Sequence, residues 1–192
     1  MMEQPGIKWG SDLGKAKEEA GRTNKLILMF FHSRSCSGCK ATIAKVLPDR
    51  EVSKFITDNF VPLMYEVSEQ ASKDLMKRYE VQWTPTFVAA DQKGDTVYRW
   101  EGYLPTDDFQ AQMLMAEAKM AFKAENFSRA EKCYSAVAGK YPKSDTAPEA
   151  VYYLGVSRYK RTEDPSHLKN ANEELKSKYP ENVWTKKASV WG

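Results

Sequence analysis

The feature that most constrains the fold is a pair of cysteines that directly follows an apolar run. The run from Lys25 to Phe31 is rich in Leu, Ile and Phe without alternation, which predicts a strand buried on both faces of a partly parallel sheet. A short loop then leads to Cys36-Ser37-Gly38-Cys39, where helical spacing begins. We therefore expect Cys36 at a helix N-terminus, where unpaired backbone N–H groups and the helix dipole favour a thiolate.

The two thiols have the spacing expected of an attacking and a resolving cysteine. A helix N-terminus lowers the pKa of a thiol, so we expect the Cys36 thiolate to attack a disulfide near neutral pH. Cys39 follows one helical turn later on the same face, where it can attack the mixed disulfide and release the product. Catalytic roles are therefore predicted for both cysteines.

Two other interpretations of the pair stay open. The cysteines could supply half of a tetrahedral zinc site, although the sequence has only two histidines, His32 and His167, and no second Cys-x-x-Cys. They could also form an inert structural disulfide at a helix start. Redox exchange is the preferred interpretation, with no metal and no cofactor. We assign no role to the third cysteine, Cys133.

Around this pair, the first half of the sequence predicts a sheet with helices on both faces. The predicted helices are a short one capped by Ser11-Asp12 and ended by Gly21, then 37–47 with Pro48 as its end, 51–59 and 71–79. The predicted strands are 25–31, 61–67, one that Pro85 begins, and 96–100, the last two joined by the turn Asp91-Gln92-Lys93-Gly94. This order of elements favours an α/β fold with a sheet of about four strands.

Residues 7 to about 116 resemble the thioredoxin fold, a three-layer α/β/α sandwich. The resemblance rests on Trp9, Phe31, Cys36-Ser37-Gly38-Cys39-Lys40, Val81-Gln82-Trp83-Thr84-Pro85-Thr86-Phe87, Gly94 and Gly102-Tyr103. It implies a cis Thr84–Pro85 peptide beside the two sulfurs, with the Thr84 backbone offered to an extended substrate peptide. By the same resemblance, Ser35 and Trp83 join Thr84 and Pro85 as predicted substrate contacts.

Two positions depart from the pattern of thioredoxin proper. Ser35 stands where a tryptophan precedes the attacking cysteine, and Phe30 stands where a buried acid lies on the central strand. Glu66, on the neighbouring strand, is a candidate to tune the site by approaching Cys39. The alternative is that proton removal from the resolving thiol relies on solvent or on another residue.

Two further residues are candidates for tuning the attacking thiol. His32, at the end of the strand, either tunes the thiolate or shuttles a proton, or is simply packed or solvated there. Arg34 carries a permanent positive charge, which either stabilises the Cys36 thiolate or is solvated in the loop. The sequence alone leaves these alternatives open.

The second half of the sequence predicts a separate helical domain. Thr106-Asp107-Asp108 caps a long helix, and Lys140-Tyr141-Pro142 recurs as Lys178-Tyr179-Pro180, each after a helical pattern. The spacing resembles two tetratricopeptide helical hairpins, followed by a terminal cap from Val183, Trp184, Val190 and Trp191. We predict a thioredoxin-like domain over 1–110 and a helical repeat domain over 111–192. Because two repeats leave ends uncovered, one end is expected to dock on the first domain or on a second copy of the chain, as in a homodimer.

Composition and charge exclude several classes of protein. Apolar residues at 42% and aromatic residues at 12% are enough for a packed core, which excludes a disordered chain. A net charge of +3 is too weak and too dispersed for a nucleic-acid partner. No stretch approaches the about 20 apolar residues of a membrane span, and Met1 to Pro5 do not begin a signal peptide. The expected location is the cytoplasm, or the periplasm or another exported compartment if a leader has been removed.

Three functions are compatible with these features. The first is a thiol–disulfide oxidoreductase that acts on protein disulfides, has a thiol reductant or oxidant protein as its second partner, and docks partners on the helical repeats. The second is an adaptor or co-chaperone that binds client proteins with redox activity secondary, as the resemblance to fusions of a thioredoxin domain with tetratricopeptide repeats implies. The third is a structural or metal-binding module. The presence of both cysteines favours the first.

Overall fold

The computed structural model describes residues 6–192. The expectation about a leader, which rests on Met1 to Pro5, lies outside the described residues, as does the start of the predicted 1–110 domain. The chain divides into two compact units, and the division falls between Phe109 and Gln110. The first unit carries a sheet with helices, and the second is helical throughout. Within residues 6–192, no helix is long and apolar enough to cross a membrane.

The first unit combines a four-stranded sheet with short helices. The strands are β1 (Leu26–His32), β2 (Phe60–Glu66), β3 (Thr86–Ala90) and β4 (Thr96–Glu101). The helices are α1 (Leu13–Thr23), α2 (Ser37–Ala41), α3 (Arg50–Asn59) and α4 (Lys73–Arg78), with a π turn at Thr42–Val46 and a 3-10 turn at Gln70–Ser72. Helix α5 (Thr106–Lys123) begins before the division between the units and ends after it.

The sheet is mixed, with the strand order β2-β1-β3-β4. Strand β1 pairs in parallel with β2, and the pairs β1–β3 and β3–β4 are antiparallel. Every residue of β1 is buried, as expected for a central strand that is covered on both faces. Pro85 directly precedes β3, where its missing N–H leaves the ladder intact. These features confirm the predicted α/β fold class with a C-terminal helical region.

Alternate residues of β1 build two cores, one on each face of the sheet. On one face, Phe30 stacks on Phe87 with ring centroids 4.4 Å apart, and Phe87 stacks on Trp100. His32 follows Phe30 on this face, with ring centroids 5.3 Å apart. On the other face, Phe31 packs in a buried cluster that includes Ala16, Ala20, Tyr65 and Tyr79. The end of β1, from which the cysteine loop starts, is therefore held from both sides.

The predicted end of the first helix at Gly21 is wrong. Helix α1 continues to Thr23, and Asn24 adopts a left-handed backbone with φ 55°. The N–H of Asn24 donates to the carbonyl oxygen of Ala20, which satisfies one of the last helical acceptors. Asparagine tolerates this conformation, so it ends the helix and leaves the glycine inside it.

The helix predicted over 37–47 is divided between α2 and the π turn. The N–H of Leu47 donates to the carbonyl oxygen of Thr42 at 3.0 Å, one residue further back than in an α-helix. The hydroxyl of Thr42, which is buried, donates to the carbonyl oxygen of Gly38 at 2.9 Å. The cysteine helix is thus tied to the turn that follows it, and Pro48 comes after the turn as predicted.

The second unit contains α5 from Gln110 onward and helices α6 to α9. The further bounds are α6 (Phe127–Lys140), α7 (Ala147–Thr162), α8 (Ser166–Lys178) and α9 (Val183–Ala188), followed by a 3-10 turn at Ser189–Trp191. The repeated Lys-Tyr-Pro motif lies at the ends of α6 and α8, where the N–H groups of Tyr141 and Tyr179 donate to helical carbonyl oxygens. Gly155 allows α7 and α8 to approach, because a Cβ there would lie 2.5 Å from that of Ala171. The assignment of these hairpins to tetratricopeptide repeats stays a prediction.

The predicted terminal cap is correct for its tryptophans and wrong for its valines. Trp184 and Trp191 contact the ring of Tyr152, with centroid distances of 5.1 and 4.4 Å. Val183 and Val190 are exposed instead. The reason is helical spacing: Trp184 and Ala188 share the inward face of α9, which leaves Val183 on the outside.

Candidate active site

The two cysteines of the motif lie where the loop after β1 enters α2. Cys36 is the N-cap residue of α2, and the N–H of Cys39 points at the Cys36 sulfur, with an N–Sγ distance of 3.0 Å. The two Cα atoms lie 5.2 Å apart, within the range of a disulfide, and the two cysteines form a disulfide with each other. Cys36 is half-buried, whereas Cys39 is only 1% exposed. Cys36 is therefore the sulfur that a partner can reach.

The Thr84–Pro85 peptide forms the opposite wall of the site and is cis. The carbonyl oxygen of Thr84 lies 3.3 Å from Cys36 Sγ. Gly38 permits this approach, since a Cβ at that position would lie only 3.1 Å from Cδ of Pro85. The structure thus brings Thr84 and Pro85 to the Cys36 sulfur, while their roles as substrate contacts stay predictions.

A pocket of about 490 Å³ opens beside Cys36. Its lining includes the four predicted substrate contacts and two further residues: Ser35, Trp83, Thr84, Pro85, Gly102 and Tyr103. Trp83 is 69% exposed, and Tyr103 is exposed as well. Of the described residues that line this pocket, none carries a charge. The pocket therefore presents an uncharged, partly aromatic surface next to the Cys36 sulfur.

Sequence reasoning missed Gly102 and Tyr103 as members of the site. Gly102 has φ 85°, a left-handed conformation that favours glycine, and its N–H donates to the carbonyl oxygen of Pro85 at 2.8 Å. This turn carries Tyr103 next to Gly38, whose added Cβ would lie 3.5 Å from that of the tyrosine. The glycine-tyrosine pair directly after the last predicted strand was the available signal, but spacing alone assigns it no neighbour.

The three predicted tuning residues meet at the start of the cysteine loop. His32 and Glu66 are register partners in the β1–β2 pair, with His32 Nδ1 3.6 Å from Glu66 Oε2. The backbone N–H of Arg34 donates to the same Oε2 at 3.0 Å, and the Arg34 Nε lies 3.8 Å from it. Oε2 of Glu66 thus accepts from the loop before Cys36, and Oε1 accepts from the hydroxyl of Ser68 at 3.1 Å. An approach of this carboxylate to Cys39 stays a prediction.

His32 is a buried imidazole beside a second pocket. Burial lowers the pKa of His32 below its usual value, the Arg34 charge lowers it further, and the carboxylates of Glu66 and Glu69 oppose this. The imidazole is therefore neutral at neutral pH. The pocket, of about 570 Å³, is lined by His32, Arg34, Glu66 and Glu69 together with Trp9, Gly10, Ser11 and Met64.

The remaining candidate groups are metal ligands and the third cysteine. Within residues 6–192, no group of three or more His, Cys, Asp and Glu side chains is arranged to hold a metal ion. Cys133 lies half-buried in α6, and burial raises the pKa of its thiol. A raised pKa reduces the thiolate fraction at neutral pH, so Cys133 is a poor nucleophile.

Comparison with known proteins agrees with this architecture. Residues 13–117 match the sequence model of a family described as a thioredoxin-like domain. Among solved structures, the chain is similar to a thioredoxin from Thermus thermophilus, with 26% identity and a TM-score of 0.55 over 62% of this chain and 93% of that chain. It is also similar to a candidate disulphide-isomerase from Bacteroides thetaiotaomicron, with 22% identity and a TM-score of 0.51 over 62% of this chain and 96% of that chain. No curated protein sequence matches the chain significantly.

Proposed function

Because the chain belongs to the thioredoxin-like family, we propose that it is a thiol–disulfide oxidoreductase that acts on disulfides in other proteins. One observation carries the proposal: Cys36 opens into a pocket, while Cys39 lies buried behind it within disulfide reach. This asymmetry gives one accessible sulfur for attack and one protected sulfur for resolution. An inert structural disulfide needs neither the pocket nor the accessible sulfur.

The exchange proceeds in two substitutions at sulfur. In the reducing direction, the Cys36 thiolate attacks a substrate disulfide, a mixed disulfide forms, and the other substrate sulfur leaves as a thiolate that takes a proton from water. The Cys39 thiol gives up its proton to water, and its sulfur attacks Cys36 Sγ and releases the second substrate thiol. Two electrons then reside on the substrate and Cys36–Cys39 is a disulfide, which a thiol reductant protein reduces. An oxidant protein drives the same steps in reverse.

The surroundings of Cys36 stabilise the attacking form. The N–H of Cys39, 3.0 Å from Cys36 Sγ, is placed to donate a hydrogen bond to the thiolate. Hydrogen bonds of this kind favour the charged form of a thiol and lower its pKa. The same bond stabilises Cys36 as a leaving group when Cys39 attacks the mixed disulfide, because a low pKa makes a better leaving thiolate.

The pocket beside Cys36 supports a polypeptide as the substrate. Thr84 places a backbone carbonyl oxygen 3.3 Å from the sulfur, where it can accept from an extended segment. The exposed ring of Trp83 would be buried by such a segment, and burial of aromatic surface favours association. Ser35, Thr84, Pro85 and Trp83 are accordingly the proposed substrate contacts.

Disulfide exchange by single-cysteine variants tests the proposal. Cys36→Ser should abolish insulin reduction, whereas Cys39→Ser should still attack and should accumulate a mixed disulfide with the substrate. Cys133→Ser is the matched control and should reduce insulin at the rate of the unchanged protein. Equal insulin reduction with and without the Cys36 sulfur would end the proposal. The reduction potential of the pair, measured against glutathione, would then decide between reductase and oxidase.

We also propose that the helical unit binds protein partners, either a client or a second copy of the chain. The support is its repeated hairpin pattern and the exposed valines near its C-terminal end, Val183 and Val190. Sedimentation of the unchanged protein and of the double variant Val183→Asp/Val190→Asp tests whether the helical unit binds a second copy of the chain. A dimer that dissociates in the variant would support a homodimer, and a monomer in both cases would rule it out.

A further inference from the structure

Glu66 is a buried carboxylate that accepts hydrogen bonds from two chain segments, the loop after β1 and the loop after β2. The residue is 7% exposed and ends β2, opposite His32 in the parallel register. Its Oε2 accepts from the backbone N–H of Arg34 at 3.0 Å. Its Oε1 accepts from the hydroxyl of Ser68 at 3.1 Å. A buried carboxylate with backbone and hydroxyl donors fixes the segments that supply those donors.

The segment held by Oε2 is the turn that presents the reactive sulfur. This turn runs from Ser33 to Cys36 and is closed by the N–H of Cys36, which donates to the carbonyl oxygen of Ser33 at 3.1 Å. Arg34 lies inside it, and its side chain is 80% exposed, so the backbone N–H is the group that ties the turn down. The position of Cys36 relative to the Cys39 N–H therefore depends on a carboxylate in the neighbouring strand.

We propose that Glu66 is a positioning residue of the redox site: its carboxylate holds the turn 33–36 through the Arg34 N–H and so keeps Cys36 Sγ within hydrogen-bond distance of the Cys39 N–H. The inference rests on the proposed function, because the property that Glu66 controls is the reactivity of Cys36. Glu66 acts through the turn, by way of the Arg34 N–H.

The hydrogen bond of Glu66 and its charge should have opposite effects on the reaction rate of Cys36. A negative charge near a thiol disfavours its thiolate, so removing the charge of Glu66 by itself should speed the reaction of Cys36. Removing the hydrogen bond should slow it, because the loosened turn weakens the contact between Cys36 Sγ and the Cys39 N–H. The two contributions are separated by variants that keep or remove the acceptor.

The test is alkylation of Cys36 by iodoacetamide in the reduced protein across a pH series, which reports the thiolate without any protein substrate. Glu66→Gln removes the charge and keeps an oxygen for the Arg34 N–H, so its rate at neutral pH should equal or exceed that of the unchanged protein. Glu66→Met removes both and should react about threefold or more slowly than the Gln variant. Glu69→Met, at an exposed carboxylate of the same segment, is the matched control and should change nothing. Equal rates for the Gln and Met variants would overturn the proposal.

A measurement on the unchanged protein keeps the test decisive if the Met variant does not fold. The Arg34 amide should exchange its hydrogen roughly tenfold or more slowly than an unstructured amide, although its side chain is exposed. Exchange at the unprotected rate would contradict the proposed anchor. Alkylation and amide exchange need no disulfide substrate, so a protein that passes both tests yet fails to reduce insulin would refute the proposed function and leave the role of Glu66 standing.

Discussion

Two buried carboxylates, one in each unit, show how similar burial leads to different consequences. Glu66 in the first unit is 7% exposed, and Glu117 in the second is 6% exposed. Glu66 accepts hydrogen bonds from a backbone N–H and from the hydroxyl of Ser68. Glu117, on α5, is instead paired with the guanidinium of Arg129, on α6. Backbone donors tie the chain itself to the carboxylate, whereas a side-chain partner only neutralises it.

The ion pair of Glu117 also leaves a cost on the ionised carboxylate. Burial raises the pKa of Glu117, and the charge and hydrogen bond of Arg129 oppose that rise without cancelling it. The ion pair therefore does not fully replace the water that Glu117 loses on folding. The lesson is that a buried acid which accepts from the backbone fixes a loop, whereas a buried acid whose main partner is a half-exposed side chain costs stability.

The largest expected effect is the loss of stability in Glu66→Met. This change nearly preserves side-chain volume and removes the hydrogen bonds that a charged acceptor makes with the Arg34 N–H and the Ser68 hydroxyl, at a cost of about 1–3 kcal/mol. Native-state hydrogen exchange of the β1 amides, read separately from those of the second unit, measures it. Glu69→Met provides the baseline for an exposed acid. Unaltered β1 protection in the Glu66 variant would remove the contrast between the two carboxylates.

The second prediction is a change in the opposite direction for Glu117→Met. Glu117→Met removes the buried charge and its desolvation cost, whereas Arg129 is already half-exposed and is hydrated once released, so the change should be neutral or stabilise by about 1 kcal/mol at most. Since the pKa of Glu117 is raised in the fold, its contribution is present below the usual carboxyl range and is lost as pH rises through the folded pKa. The variant should therefore gain most at neutral pH. Amide exchange in α5 and α6 measures the change, and a loss of protection there would contradict it.

The sequence was sufficient for those parts of the site that depend on local patterns. The apolar run of β1, the cysteine spacing and the proline before β3 each have a local physical cause, so they could be predicted residue by residue. The helix end at Asn24 could not, because asparagine and glycine both suit a left-handed cap and only the packed helix decides between them. Gly102 and Tyr103 were not predicted as members of the site, because Gly38, next to which Tyr103 lies, is distant in the chain.

The role of Glu66 depends on register, which the sequence does not encode locally. In the β1–β2 pair, His32 lies opposite Glu66. A slip of one residue would turn Glu66 to the other face of the sheet, away from the loop. The sequence analysis therefore named Glu66 as a tuning candidate for Cys39 but did not predict its hydrogen bonds with the Arg34 N–H and the Ser68 hydroxyl.

The smallest expected effect is a loss of stability at acidic pH that His32, the neighbour of Glu66, adds to the first unit. Because burial lowers the pKa of His32, its contribution to stability is present above the usual histidine range and is lost as pH falls through the folded pKa. The charged groups that face it are Glu66, Arg34 and Glu69, and the two carboxylates limit the loss.

His32→Phe removes this titration and keeps a ring next to Phe30. Unfolding free energies measured from neutral to acidic pH should fall less steeply in this variant than in the unchanged protein. NMR titration sharpens the comparison, because the pKa of His32 should fall further in Glu66→Met, where the carboxylate that supports its charged form is gone. An unchanged histidine pKa in that variant would mean that the pair is close in space but not coupled, and the contrast with the Glu117 ion pair would then rest on the backbone hydrogen bond alone.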